Sequence, residues 1–135
     1  MNEIVSKTIS KSIKELLSYA TSEDKINQEY EKYIKSQIRK LYEIKFEGET
    51  VGCVGIELIS PEKCEIKHIS VSPTERGNGI ASKMIKYVIE KHELTFVIAE
   101  TDKDAVEFYR SYGFEITSLG EKYPGVERFL CEFYI

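Results

Sequence analysis

The residues best placed for chemistry lie between Ile66 and Met84, where the chain reads Ile-Lys-His-Ile-Ser-Val-Ser-Pro-Thr-Glu-Arg-Gly-Asn-Gly-Ile-Ala-Ser-Lys-Met. A strand-like stretch runs into Arg76-Gly77-Asn78-Gly79, and Ile80-Ala81-Ser82 then open a helix. The first N–H groups of a helix lack partners and carry the positive end of its macrodipole, which suits a phosphate. Gly77 and Gly79 let a bulky anion approach the backbone with no Cβ in the way. Arg76 and Lys83 add positive charge, and Ser82 adds a hydroxyl donor. Taken alone, a G-x-G loop is equally a tight turn that needs positive φ.

Other groups could handle protons. Tyr109 carries a phenol that can pack in a core and still donate, although Ala105, Tyr109 and Tyr112 share a helical stripe as core residues do. Glu65 can act as a base or simply pair with Lys63 or Lys67, and Glu100 closes the next strand as a second carboxylate. His68 reads as a strand-face residue. Two histidines and three cysteines, scattered with no CxxC spacing, predict no metal site. Cys53 and Cys131 sit in apolar runs and read as buried, reduced thiols.

Hydrophobic periodicity supplies the elements that must hold these groups. Residues 1–5 read as a short edge strand. Ile13, Leu16 and Leu17 fall at helical spacing from Ser10 to about Ala20. Ser22 caps a second helix with the stripe Ile26, Tyr30, Tyr33, Ile34 and Ile38. The period then changes: 41–46 and 50–59 read as strands joined at Glu47-Gly48-Glu49, with a third strand over 64–71. Ile80, Ala81, Met84, Ile85, Val88 and Ile89 form one buried helical stripe. A strand over 95–99, a helix capped by Asp102 and ending near Tyr112, and strands over 114–118 and 127–134 follow. The last two enclose a loop with Gly120, Pro124 and Gly125. The fold class is α/β (α+β): a single domain, residues 1–135, with a mixed, mostly antiparallel sheet flanked by helices.

A chain of 135 residues that is 41% hydrophobic can bury a real core and is not a disordered tail. Charged residues reach 31% but the net charge is only −4, which argues against a nucleic-acid partner. Residues 1–45 carry nine Lys/Arg against seven Asp/Glu, and 46–135 carry ten against sixteen. The acidic part favours a cationic acceptor or is ordinary solvated surface. No apolar run approaches the roughly 18 residues of a membrane span and no signal-like start is visible, so the expectation is a cytoplasmic protein with no membrane partner.

The glycine segment resembles the GCN5-related N-acetyltransferase (GNAT) family. Its Gln/Arg-x-x-Gly-x-Gly/Ala motif is matched by Arg76, Gly79 and Ala81. The apolar-small-apolar strand end and proline before it are matched by Ile69-Ser70-Val71 and Pro73. The downstream Ala-x-x-Phe/Leu-Tyr-x-x-x-Gly-Phe helix is matched by Ala105, Phe108-Tyr109, Gly113 and Phe114. Two motifs in order, separated by a helix and a strand, are far more specific than either one. The resemblance covers residues 51–118 and is only topological elsewhere. Asp102 stands where many members carry an Asn whose amide contacts the coenzyme. An acid offers no such donor, so Asp102 is read as a helix cap.

The resemblance implies acetyl transfer from acetyl-CoA to a primary amine, directly within a ternary complex. The diphosphate would lie against residues 76–82 (Arg76, Gly77, Asn78, Gly79, Ile80, Ala81 and Ser82), and the pantetheine along Ile69, Ser70 and Val71. Tyr109 would protonate the departing thiolate. Glu65 would be the base, with Glu100 or a water chain in reserve. The acceptor, a small molecule or a peptide amine, would be shaped by residues 8–40 and 119–126, and a homodimer stays open. Two other readings compete with this one. Gly77-x-Gly79 with Glu100 about twenty residues on mimics half a dinucleotide fingerprint, but Ser82 replaces its third glycine. An acyl-CoA sensor without turnover would be expected to have damaged Tyr109 or the Arg76–Gly79 loop, and both are intact.

Overall fold

In the computed structural model, which describes residues 1–135, each element starts or stops for a local reason. The Ser10 hydroxyl accepts the Ile13 N–H at 3.2 Å and caps α1 (Lys11–Ser18). Ser22 makes no side-chain cap; a short 3₁₀ turn at Glu23–Lys25 precedes α2 (Ile26–Lys35) instead. A two-residue turn at Glu47-Gly48 joins β2 (Arg39–Phe46) to β3 (Glu49–Ser60), and β4 (Lys63–Val71) continues the meander. Next come α3 (Ile80–His92), β5 (Phe96–Asp102), α4 (Val106–Tyr112), β6 (Glu115–Tyr123) and β7 (Val126–Tyr134). With the two-residue β1 (Asn2–Glu3), they build one seven-stranded sheet in the order β1-β2-β3-β4-β5-β7-β6. Only β4 and β5 pair in parallel. The expected loop over 119–126 is mostly strand: β6 and β7 pair as far as Tyr123 and Val126, leaving Pro124-Gly125 as the turn.

Alternation sends the side chains of the central strands to two cores. Met84, Ile85 and Val88 of α3 and Val106 and Tyr109 of α4 pack with Val54, Ile56, Ile66, Val97 and Cys131 on one face. Ile13, Leu16 and Leu17 of α1 and Ile26, Tyr30 and Tyr33 of α2 pack with Leu41 and Cys53 on the other. All three cysteines are buried and free. None of the helices is long and apolar enough to cross a membrane.

Near the middle of the α1/α2 face a polar contact ties helix to sheet. Tyr33 Oη lies 2.5 Å from Nδ1 of His68 on β4, and His68 Nε2 faces the Glu29 carboxylate at 3.7 Å. Burial holds the His68 pKa below its ordinary value and the Tyr33 pKa far above its own, so both are neutral near pH 7. The ring reaches His68 because β3 offers Gly55 beneath it; a Cβ there would meet Tyr33 Oη at 2.0 Å. Gly55→Ala should therefore cost about 1–3 kcal/mol, the usual range for overpacking a core. The check is a lower urea midpoint at unchanged m-value; an unchanged midpoint would mean that Tyr33 gives way freely.

Candidate active site

The parallel pair separates early. Lys63–Ile66 of β4 pair with Phe96–Ala99 of β5, and there the ladder stops, although β4 runs on to Val71 and β5 to Asp102. From there β5 is paired only with β7, through Asp102 with Arg128, so a gap opens between β4 and β5. The Ser72 N–H donates to Val51 O on β3 at 2.8 Å. Alternation along the strand then turns the N–H and C=O groups of Ile69 and Val71 away from β3, into the gap.

A bulge decides which side chains flank that gap. Gly55 faces His68 while Ile56 faces Ile66, so Lys67 is an extra residue without a partner on β3. Cys64 and Ile66 lie on the α3/α4 face, and His68 and Ser70 lie on the α1/α2 face although all four positions are even. By the same register Glu65, before the bulge, shares the α1/α2 face with Ser70, after it.

The gap leads into a cleft of about 580 Å³. It is lined by Ile69, Ser70 and Val71, by Arg76, Gly77 and Gly79, by the first turn of α3 (Ile80, Ala81, Ser82), and by Ala105, Phe108 and Tyr109. Gly77 and Gly79 have φ of +86° and +75°, and nothing lies within 4 Å of where a Cβ would stand on either. The loop thus needs glycine for its conformation and leaves open space above it. Gly79 is the α3 N-cap and offers no side-chain acceptor. The leading N–H groups of this 13-residue helix therefore stay unpaired and face an anion-sized opening. Arg76 Nε donates to Val71 O at 3.0 Å, and its guanidinium sits over the Tyr19 ring at 5.2 Å from the centroid.

Tyr109 lines the cleft from α4 and is only 4% exposed, and its hydroxyl makes no hydrogen bond within the protein. Burial raises its pKa well above the usual phenol value, with the nearby Cys131 adding to the effect. Ser70 is 6% exposed, and its Oγ is buried without any partner. An unpaired buried hydroxyl costs about 1–3 kcal/mol, so a ligand that bonds it gains correspondingly.

Two expected residues fall outside the lining. Asn78 is exposed and its amide donates to Glu75 O at 3.2 Å, which braces the loop from within. Glu65 is half-buried on the paired part of β4 with Lys67 Nζ at 3.3 Å. Glu100 binds Lys122, with Arg128 at 3.9 Å, and the Lys122 hydrogen bond leads the effects that lower its pKa. Asp102 Oδ1 accepts the N–H groups of Asp104 (3.0 Å) and Ala105 (3.1 Å), so it caps the turn that leads into α4. Tyr19, at the C-terminal end of α1, also lines the cleft and was not foreseen. Its one sequence signal is an aromatic ring lying off the stripe of Ile13, Leu16 and Leu17.

A glycine-cradled helix start beside an unpaired strand edge defines a class of site, one for an anion-bearing, extended ligand. Residues 37–116 match the acetyltransferase (GNAT) domain, and the chain belongs to that family of acetyltransferases. A curated relative from Bacillus methanolicus, "Uncharacterized N-acetyltransferase in lysA 3'region", is 34% identical over 74 residues. That alignment covers 53% of this chain and 62% of the relative. Among solved structures, a GNAT family acetyltransferase from Elizabethkingia anophelis with acetyl-CoA bound superposes with TM-score 0.74 at 22% identity. The superposition spans 99% of this chain and 96% of that one. A putative acetyltransferase of the family from Desulfovibrio desulfuricans reaches TM-score 0.81 at 13% identity, over 98% and 96% of the two chains.

If the loop holds the diphosphate, Gly79→Glu should abolish CoA binding. The change sets a carboxylate in the opening and asks a side-chain residue to adopt φ +75°. That conformation costs about 1–2 kcal/mol, which a folded domain survives. Calorimetry with CoA and a melting curve together check this; a folded variant that binds CoA like the parent would remove the loop from the site.

Proposed function

We propose that this chain transfers the acetyl group of acetyl-CoA to a primary amine, directly and within a ternary complex. One juxtaposition carries the reading. The backbone edge at Ile69 and Val71, paired with no strand on that side and met there by Arg76 at Val71 O, lies in the same cleft as the open α3 N-terminus and the Tyr109 hydroxyl. A chain of amides ending in a diphosphate would bond to the first and seat its anion on the second. Its thioester would then reach the third. Arg76, Gly77, Gly79, Ile80, Ala81 and Ser82 hold the diphosphate, while Asn78 shapes the loop. The fit rests on the glycines that leave their Cβ space open and on the uncapped helix start.

The amine nitrogen attacks the thioester carbon, and the carbonyl oxygen gains charge that an amide of the β4 edge stabilises. The carbon–sulfur bond then breaks. Tyr109, kept protonated by its raised pKa, donates a hydrogen bond that strengthens as charge builds on sulfur, and its proton passes to the thiolate. Solvent restores that proton to the phenol. The proton lost by the amine goes to Glu65, directly or through water, or to bulk water. Glu100 is the weaker candidate because Lys122 and Arg128 already neutralise it.

A direct route is also favoured by the thiols. None of the three cysteines lines the cleft, and burial pushes Cys53 and Cys64 up to about 12 and Cys131 up to about 11. A protein thioester intermediate would need a thiolate that these residues do not supply near pH 7. The primary test incubates the protein with acetyl-CoA and a panel of amines and reads acetylated product by mass. CoA binding with no product from any amine would replace the enzyme with a sensor.

Two variants divide the proton chemistry. Tyr109→Phe keeps the ring packing, so melting temperature and CoA affinity should hold while turnover falls by about 100-fold, the range for losing a general acid. Normal turnover with lowered melting would make Tyr109 a core residue only. Glu65→Gln should slow the reaction most at low pH, where nearly every amine carries the proton that a base must remove. A pH–rate profile that keeps its shape would assign that proton to water.

A further inference from the structure

We infer that the Ser70 hydroxyl is an acceptor-positioning group: it takes an N–H hydrogen bond from the attacking amine. The inference rests on the acetyl-transfer reading and adds the residue that holds the nucleophile. Ser70 Oγ is the one hydroxyl oxygen closed off from solvent that has no partner, and Ser70 lines the cleft. No side chain on its own face bonds it. His68, two residues away, is engaged with Tyr33 and faces Glu29, and across the strand stands the thiol of Cys53.

The strand register separates this hydroxyl from the coenzyme. A ligand lying in the gap as an added strand bonds with the backbone of Ile69 and Val71, whose polar groups point along the sheet plane. The backbone of Ser70 is turned to β3, and its side chain rises out of the plane toward α1. Tyr109 reaches the same cleft from the opposite, α4 face. A nucleophile attacks a thioester carbonyl from above or below its plane. With the proton donor for sulfur on the α4 side, the other side is left to the amine, and there Ser70 presents a lone pair to an amine N–H. Holding one N–H in this way aims the nitrogen lone pair at the thioester carbon.

The experiment compares wild type, Ser70→Ala and Ser70→Thr, using tyramine, spermidine and an alanyl peptide as amines with acetyl-CoA. In Ser70→Ala, kcat/KM for the amine should fall about tenfold or more, as expected for one lost hydrogen bond to a reactant. CoA affinity should stay within about twofold, and Ser70→Thr should recover most of the rate. The melting temperature of Ser70→Ala should not fall, because the hydroxyl removed has no partner to lose. An equal loss of CoA affinity would give the hydroxyl to the coenzyme, and an unchanged kcat/KM would leave it without a reactant; either overturns the inference. Failure of the underlying reading shows in the wild type instead, as CoA binding or amine turnover absent before any substitution.

Discussion

The parallel ladder between β4 and β5 ends after four residue pairs, and the site follows from that ending. A sheet that stayed zipped would bond the backbone of Ile69 and Val71 to a neighbouring strand and leave no edge to offer. Val71 O finds the Arg76 guanidinium in place of a strand, and the other polar groups of that edge are left to water or to a ligand with amides of its own. β7 makes the parting affordable to β5: antiparallel pairing with β7 from Phe96 to Asp102 keeps one edge of β5 bonded after β4 has left. The helix start at Gly79 lies at the mouth of the same gap, so an uncapped helix N-terminus and a strand edge become parts of one surface.

Much of this was legible in the sequence because each feature is local. Glycines at 77 and 79, a strand before them and an apolar stripe after them announce the loop and its helix within twenty residues. Tyr109 is fixed by its own motif. What escaped is non-local. The face presented by each β4 side chain depends on the unpaired Lys67; a bulge near Ile69 flips the later faces, so strand parity could not settle where Glu65 points, and the register puts it with Ser70. Tyr19 reaches the cleft through the packing of α1 on β3 and β4, which a helical stripe does not encode. The 119–126 segment looked like a loop because glycine and proline punctuate it, yet pairing with β7 extends β6 through Gly120.

The two faces of the sheet have different work. On one, α3 and α4 pack aliphatic and aromatic side chains and bring the hydroxyls of Ser82 and Tyr109 to the cleft. On the other, α2 and the strands beneath it share a polar set of Glu29, Tyr33, Arg39, Glu57 and His68, with Arg39 Nε bonded to Glu57 at 2.8 Å. The Tyr33–His68 contact fixes α2 in one register on the sheet more sharply than apolar packing alone would. α1 is held by Ile13, Leu16 and Leu17 against β3 and β4, which leaves Tyr19 beside the loop that carries Arg76.

The strand order has a consequence for how the molecule comes into being. β7 is made after the other six strands but lies inside the sheet, between β5 and β6. Until residues 126–134 have left the ribosome, β5 has only four residues of β4 to pair with, and β6 has no partner at all. The growing chain must therefore carry raw strand edges from the making of β5 until β7 is complete, and the cleft takes its final shape only when that strand slots in. Contacts between such distant stretches form slowly, and unpaired edges recruit other chains while they wait. Chaperone attention in the cell would be drawn to this half of the protein, and aggregation of shortened chains should begin there.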